Sequence, residues 1–444
     1  MKEYNLTEGS ILKTLLIFAV PFFGANILQS LYGAADMFVV GRYCSAASVA
    51  AVSTGTQVTQ IITSLVTGLT LGSTILSGQY AGSRQYEAVK GIIGTTLTIF
   101  AAVALVLTAV MLILEKPLLT LLQTPEESFF LTTQYVTICL LGNIFICGYN
   151  AISAILRGYG DSMRPMFFIG IACVINIILD VLFVRNCGMG VAGTALATVI
   201  SQAASMIISI IYLKKNKFIF DFKWKSFYPV PDLAKKLIRI GIPISFQELM
   251  VRVSFLYLMT VMNRCGVYAS SVAGIGSKYD VFAMLSATSM ANALSAVTAQ
   301  NFGAGKMERA RKSLWYGMSF ACLISCFFWL WAQLAPQTML GVFTQDADII
   351  QAGIPFFRSC SYDYIMVAMV FCLNGYLNGK QKTVWTMISC SAGALLLRIP
   401  MVWYFGNHYG EELGMLGMIA PIVSGVMACY TLIYVAYGER RGSK

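Results

Sequence analysis

Asn26, Gln29, Gly33 and Asp36 follow one another at intervals of three, four and three residues inside an apolar stretch. That spacing puts them on one face of a helix. A second apolar stretch carries Asn176 and Asp180 four residues apart, again on one face. Asp180 lies about 14 residues beyond Pro165, roughly 21 Å along a helix, and no Lys or Arg falls within one helical turn of it. A carboxylate in such a setting can take up and release a proton near neutral pH. Two carboxylates with amide and hydroxyl oxygens can instead hold a hard cation such as Na⁺. Both chemistries remain open for Asp36, Asn176 and Asp180.

Further charges sit where apolar residues dominate. Glu248 and Arg252 are an i, i+4 pair of opposite sign, a spacing that also suits a self-neutralised structural pair. Lys278 and Asp280, two apart, do not face each other and need other partners. Asp363 and Arg398 are further candidates. With Asn26, Gln29 and Asp36, the residues Glu248, Arg252, Asp363 and Arg398 form the expected substrate-cavity set.

Catalysis has little to build on. The chain has 1 histidine, His408, which leaves a His-ligated metal nearly excluded. The 12 cysteines form no CxxC pair. Cys322 and Cys326 are four apart in an apolar stretch and read as packing residues. The expectation is a non-enzyme without a cofactor.

These residues need elements to hold them. Of 444 residues, 57% are hydrophobic and 11% charged, and mean hydropathy is +0.71. Soluble proteins carry about 25% charged residues, so this chain cannot cover a water-facing surface. Runs such as "FAAVALVLTAVMLIL" (100–114) are continuous rather than alternating, which favours helices over barrel strands. Twelve windows of about 20 residues are predicted to span a bilayer, near 14–37, 48–72, 92–114, 132–155, 166–186, 191–213, 238–262, 272–297, 313–335, 351–375, 384–406 and 414–437. The fold class expected is all-α and membrane-integral. With the N-terminus inside, 23 of the 31 basic residues fall in cytoplasmic segments and 4, Arg42, Lys116, Arg185 and Arg264, in outer loops. The positive-inside rule then puts both termini in the cytoplasm. It also accounts for the net charge of +11 as a topology signal beside an anionic leaflet, not a nucleic-acid surface.

The chain repeats itself. At an offset of 221, Gln79, Gly82 and Glu87 meet Gln300, Gly303 and Glu308, and Leu156, Gly158 and Met166 meet Leu377, Gly379 and Met387. At 222, Pro21 meets Pro243, and at 224 Gly190 and Gly193 meet Gly414 and Gly417. Two pseudo-symmetric six-helix lobes are expected, residues 1–213 and 237–444, joined by a basic cytoplasmic linker, 214–236. An even number of spans per lobe gives both the same orientation. Transporters built this way bind substrate between their halves and rock them about it. Asp36 maps to Leu258, Asn176 to Leu397 and Asp180 to Met401, so the acid pair belongs to the first lobe alone.

"PFFGANILQSLYGAADMFVVGR" (21–42), "LRGYGDSMRP" (156–165), "NIILD" (176–180) and "AQNFGAGKMERA" (299–310), with the duplication, resemble the multidrug and toxic compound extrusion (MATE) family of cation-coupled antiporters. The likeness covers all twelve spans. It implies two lobes around a central cavity and export of cationic, amphipathic compounds in exchange for H⁺ or Na⁺. It also implies that Asp36 stands at the family's first-span acid, that Asn176 and Asp180 match a fifth-span Asn-x-x-x-Asp cation site, and that Thr198 in "ATVISQ" is similar to a sixth-span threonine near it. In some branches a glutamate lies eight residues after the seventh-span proline. Here that position is Val251, and the tenth-span acid would fall near Val367, so the first-lobe ion site is favoured.

The function expected is therefore multidrug efflux by cation-coupled antiport, by alternating access, as a monomer in the plasma (inner) membrane of a bacterium. Its partners would be small organic cations and the lipid bilayer, with no nucleic acid. The alternative is a flippase for lipid-linked precursors from the same superfamily. Such a flippase would want a strongly cationic cavity. The spans instead carry five acids (Asp36, Asp180, Glu248, Asp280, Asp363) and four bases (Arg252, Lys278, Arg358, Arg398), which mildly favours a cationic substrate.

Overall fold

The computed structural model describes residues 5–122, 124–216, 218–221, 223–410 and 412–442. Lys2, Lys217 and Lys444, counted above among the cytoplasmic basic residues, lie outside the described residues. Among the described residues there are helices and no strand.

Every expected span is present, and most extend beyond their apolar windows. Spans one to three are Ile11–Tyr43, Ala46–Gly82 and Tyr86–Leu121. Span four is a bent pair, Glu126–Leu141 and Asn143–Gly158, meeting at 47°. The bend falls at Gly142. A Cβ at that position would meet Val199 Cγ2 at 2.3 Å, so only glycine admits the neighbouring sixth span. Spans five and six are Met163–Asn186 and Gly190–Lys215. The second set is Pro231–Arg264, Val267–Gly303, Met307–Leu334, Ala347–Gly379, Thr383–His408 and Leu413–Gly438. By length and hydropathy these can cross a bilayer, which makes the chain a multi-pass membrane protein.

Two compact units emerge. One contains Val20–Ile242, the other Thr7–Ala19 with Pro243–Lys444. The divisions fall beside Pro21 and Pro243, the two prolines related by the repeat. Each interrupts the hydrogen-bond ladder of a long helix.

Within each unit, small residues decide which helix is central. In span two the most apolar window is 67% buried and in span eight 61%, against 17% in span three. Spans two and eight are equivalent under the repeat. Their buried faces are rich in Gly, Ala, Ser and Thr, which let neighbouring backbones come close without the aid of a hydrophobic effect. In the first unit Thr74 Oγ1 donates to Ala154 O at 3.1 Å. In the second, Ser295 Oγ donates to Gly375 O at 3.0 Å. Donors and acceptors are both related by the offset of 221. The same is true of Gly158, whose Cβ would meet Thr74 O at 2.5 Å, and Gly379, whose Cβ would meet Ser295 O at 2.7 Å. The duplication thus reaches individual hydrogen bonds.

Segments outside the spans are tied down. In the first unit Thr98 Oγ1 donates to Phe227 O, and Val230 N donates to Thr95 Oγ1 at 3.0 Å. In the second, Arg309 donates to Gly9 O at 2.7 Å and Glu8 O at 2.6 Å, and Lys306 Nζ donates to Thr7 O at 3.0 Å.

Candidate functional site

The first unit gathers Asp36, Asn176, Asp180 and Thr198 into one cluster. Asp36 is on the first span, Asn176 and Asp180 on the fifth, Thr198 on the sixth. Asp36 has Asp180, Asn176 and Thr198 as its side-chain neighbours. The carboxylates are buried, Asp36 at 5% and Asp180 at 0% exposure, and so is Asn176 at 0%. Thr198 Oγ1 donates to Asp36 Oδ2 at 3.4 Å.

The local sequence explains the convergence. Asn176 and Asp180 end the α-helical part of span five, and the next six residues, Val181–Asn186, form a π-helical turn. Such turns are rare and recur at functional sites because they re-aim side chains on either side. Asp36 sits one turn after Tyr32 on the same face. The Tyr32 hydroxyl donates to Thr198 O at 3.1 Å and shares a short hydrogen bond with Ser201 Oγ. Ser201 Oγ in turn donates to Thr198 O at 2.9 Å. Tyr32 and Ser201 thereby pin the sixth span against the first and hold Thr198 beside Asp36.

The cluster is under-satisfied. Asp36 Oδ1, both oxygens of Asp180, and the amide oxygen and nitrogen of Asn176 are buried without a hydrogen-bond partner in the protein. Buried polar atoms ordinarily find partners, and each exception calls for a reason. A buried carboxylate pair lacking a cationic side chain calls for a proton or a cation. The donors here, two carboxylates, an amide and a hydroxyl, are hard oxygens of the kind that bind alkali and alkaline-earth cations rather than thiophilic metals.

Of the residues expected to face substrate, Asn26 is half-buried and Gln29 exposed in the first unit. In the second, Glu248 is half-buried and Arg252 exposed, and the two interact electrostatically as their spacing suggests. Asp363 and Arg398 are buried, at 4% and 6% exposure. They belong with Asp280: Arg398 interacts electrostatically with both carboxylates. Lys278 is exposed and takes no part in that cluster. Tyr32, Ser201 and, in the second unit, Ser254, Tyr364 and Ser424 were not singled out from sequence. For Tyr32 and Ser201 a signal existed: each lies one turn from a candidate, Asp36 or Thr198, on the same helix face.

Twelve spans in two repeats, with buried acids inside both, define a membrane transporter of internally duplicated architecture. The MatE family model matches residues 21–182 and again 243–404, and the chain belongs to that family. Both ends of the two matches differ by 222 residues, the offset between Pro21 and Pro243. The probable multidrug resistance protein YpnP of Bacillus subtilis is 25% identical over 449 residues, covering 100% of this chain and 99% of its own. The probable multidrug resistance protein NorM of Thermotoga maritima is 24% identical, covering 93% and 90%. The multidrug export protein MepA of Staphylococcus aureus is 22% identical, covering 92% and 90%. Among solved structures, a multidrug resistance MATE family transporter in an outward-facing conformation superposes with a TM-score of 0.91 at 22% identity, covering 100% of this chain and 98% of the other. A MATE structure in a bent conformation gives 0.92 at 21% identity and full coverage of both. At these identities the structures speak to the fold.

Proposed function

We propose that this protein is a cation-coupled antiporter that exports organic, mostly cationic and amphipathic compounds by alternating access. The observation that carries the proposal is the buried Asp36–Asn176–Asp180 cluster, in which three carboxylate oxygens and both amide atoms lack protein partners. The coupling ion, H⁺ or Na⁺, would bind there, with Thr198 contributing its hydroxyl. Coupling requires only that ion and substrate bind the two conformational states with different affinity. Asn26, Gln29, Glu248 and Arg252, exposed or half-buried, are the proposed substrate-facing polar groups. The multidrug-resistance names of the relatives support drug-like substrates and lend none to the lipid-precursor flippase reading. The positive-inside count supports residence in a bacterial plasma membrane with both termini cytoplasmic, and the chain is taken as a monomer.

The test is dye movement in proteoliposomes. Purified protein is reconstituted with ethidium, and a proton gradient and then a sodium gradient are imposed, with Asp180→Asn alongside. Gradient-driven movement that the variant loses supports antiport, and the effective gradient names the ion. No movement under either gradient sinks the cation-exporter reading.

A further inference from the structure

The second unit carries its own pair of acids, with a cation already built in. Asp280 is on span eight, Asp363 on span ten and Arg398 on span eleven. The Arg398 guanidinium lies within electrostatic reach of both carboxylates. It is also held by Ser254 Oγ, which accepts from Nη1 at 3.1 Å, and by the ring of Phe255, whose centroid lies 4.3 Å from the guanidinium carbon. Tyr364 flanks Asp280 and Ser424 flanks Asp363. Arg398 Nε and Asp363 Oδ1 are buried without hydrogen-bond partners, so the charges balance through space rather than by a close pair.

Three observations relate this cluster to that of the first unit. Both join two carboxylates from different spans to a polar side chain on the penultimate span of their repeat, span five or span eleven. Both of those spans contain a π-helical turn beside the key residue: Val181–Asn186 follows Asp180, and Gly393–Arg398 ends on Arg398. And at the offset of 222 that separates the two family-model matches, Asn176 falls on Arg398. An offset of 221 pairs Asn176 with Leu397, one residue short. The carboxylates themselves are not related by the offset, so similar clusters have been assembled from different positions.

We propose that Arg398 is a tethered counter-ion standing where the first unit would take an exchangeable cation, so that the second unit is silent in ion coupling. This deepens the antiport reading and rests on it for the role of the first unit. The formal charges agree. Asp280, Asp363 and Arg398 together carry a single net negative charge. Asp36, Asp180 and a neutral Asn176 reach the same value only when they hold one H⁺ or Na⁺. A guanidinium stays protonated under any physiological condition and is covalently attached. It fills the electrostatic role of the ion without being able to leave, and Asp280 and Asp363 have no need to exchange one.

The test converts the second cluster into an ion site. Full-length protein is purified in detergent, and sodium-22 binding is measured with proton uptake on acidification in sodium-free buffer. The wild type reports the first cluster. Asp36→Asn with Asp180→Asn removes that signal if the antiport reading is right, and leaves it in place if that reading is wrong. In this double-variant background, Arg398→Gln is expected to add uptake of one cation per chain, Na⁺ or H⁺. Arg398→Lys, which keeps the charge, adds none. Removing Asp280 and Asp363 together in the Arg398→Gln protein abolishes the new uptake. A folded Arg398→Gln protein that gains neither ion overturns the proposal. Should Arg398→Gln fail to fold, Arg398→Gln with Asp280→Asn and Asp363→Asn is expected to recover folded yield, because charge and counter-charges then leave together. No recovery would mean that Arg398 supports the fold by another route and would equally overturn it.

Discussion

Thr198 Oγ1 donates to Asp36 Oδ2 at 3.4 Å, joining the sixth span to the first at the one carboxylate oxygen of Asp36 that has a protein partner. The other three carboxylate oxygens of the cluster are buried without a protein partner. If an ion binds there, Thr198 is the group that helps to orient Asp36 for it. Thr198→Ala is expected to weaken apparent affinity for the coupling ion about fivefold, equivalent to ~1 kcal/mol for a single long hydrogen bond to a charged group. Thr198→Ser retains the hydroxyl and should leave affinity near wild type. Transport rate against ion concentration in proteoliposomes reads both, and equal losses in the two variants would remove Thr198 from the site.

Tyr32 acts one step further back. Its hydroxyl holds Thr198 O and Ser201 Oγ. Tyr32→Phe leaves the ring and removes that tie, at a cost of roughly 1 kcal/mol for the lost hydrogen bonding. The expected result is a lower melting temperature in detergent with the choice of coupling ion unchanged. A switch in ion preference would instead place Tyr32 among the groups that touch the ion.

Gly158 and Gly379 provide a paired test of the duplication. Each sits where an added methyl group would run into backbone oxygen, Thr74 O or Ser295 O. Gly158→Ala and Gly379→Ala should each destabilise by about 1–3 kcal/mol through overpacking, visible as a drop in melting temperature. Gly425, with nothing near a built Cβ, serves as the control: Gly425→Ala should be neutral or slightly stabilising through better helix propensity.

Orientation can be read from one thiol. Cys187 is exposed and follows the fifth span, on the outer side by the basic-residue count. In a variant retaining Cys187 as its only cysteine, a membrane-impermeant maleimide added to intact cells should label it. Labelling confined to inside-out vesicles would reverse the topology.

The tie between Arg309 and residues 8 and 9 predicts a local effect. Arg309→Ala removes hydrogen bonds to Gly9 O and Glu8 O and should make residues 5–10 cleave several-fold faster under limited proteolysis. The melting temperature of the spans should hardly change, since exposed contacts contribute little to global stability.

Span number, fold class and repeat were legible because hydropathy and composition are averages over about 20 residues, and lipid enforces them strictly. The Asp36–Asn176–Asp180 grouping was legible for a different reason: polar residues on one helix face inside an apolar span have few places to go. The spacing of Lys278 and Asp280 shows that Asp280 needs other partners, but these lie on spans ten and eleven, and local spacing says nothing about which distant helices adjoin. Arg398 and Asp363 were each visible as isolated charges, whereas their joint electrostatics depends on that packing. Nor does hydropathy register a π-helical turn, because the extra residue changes the direction of side chains and not their polarity.

The cuts at Pro21 and Pro243 also bear on how a chain of this kind is divided. Residues 7–19 belong to the compact unit of the second repeat, and the start of the seventh span, up to Ile242, to that of the first. Severing the chain at 214–236 would therefore yield two polypeptides, each carrying a piece of the other's core and lacking a piece of its own. Neither would be a complete folding unit alone, and co-expression would be needed to restore both. Between two separate single-repeat subunits, the same division would amount to an exchange of N-terminal arms between partners, a domain swap.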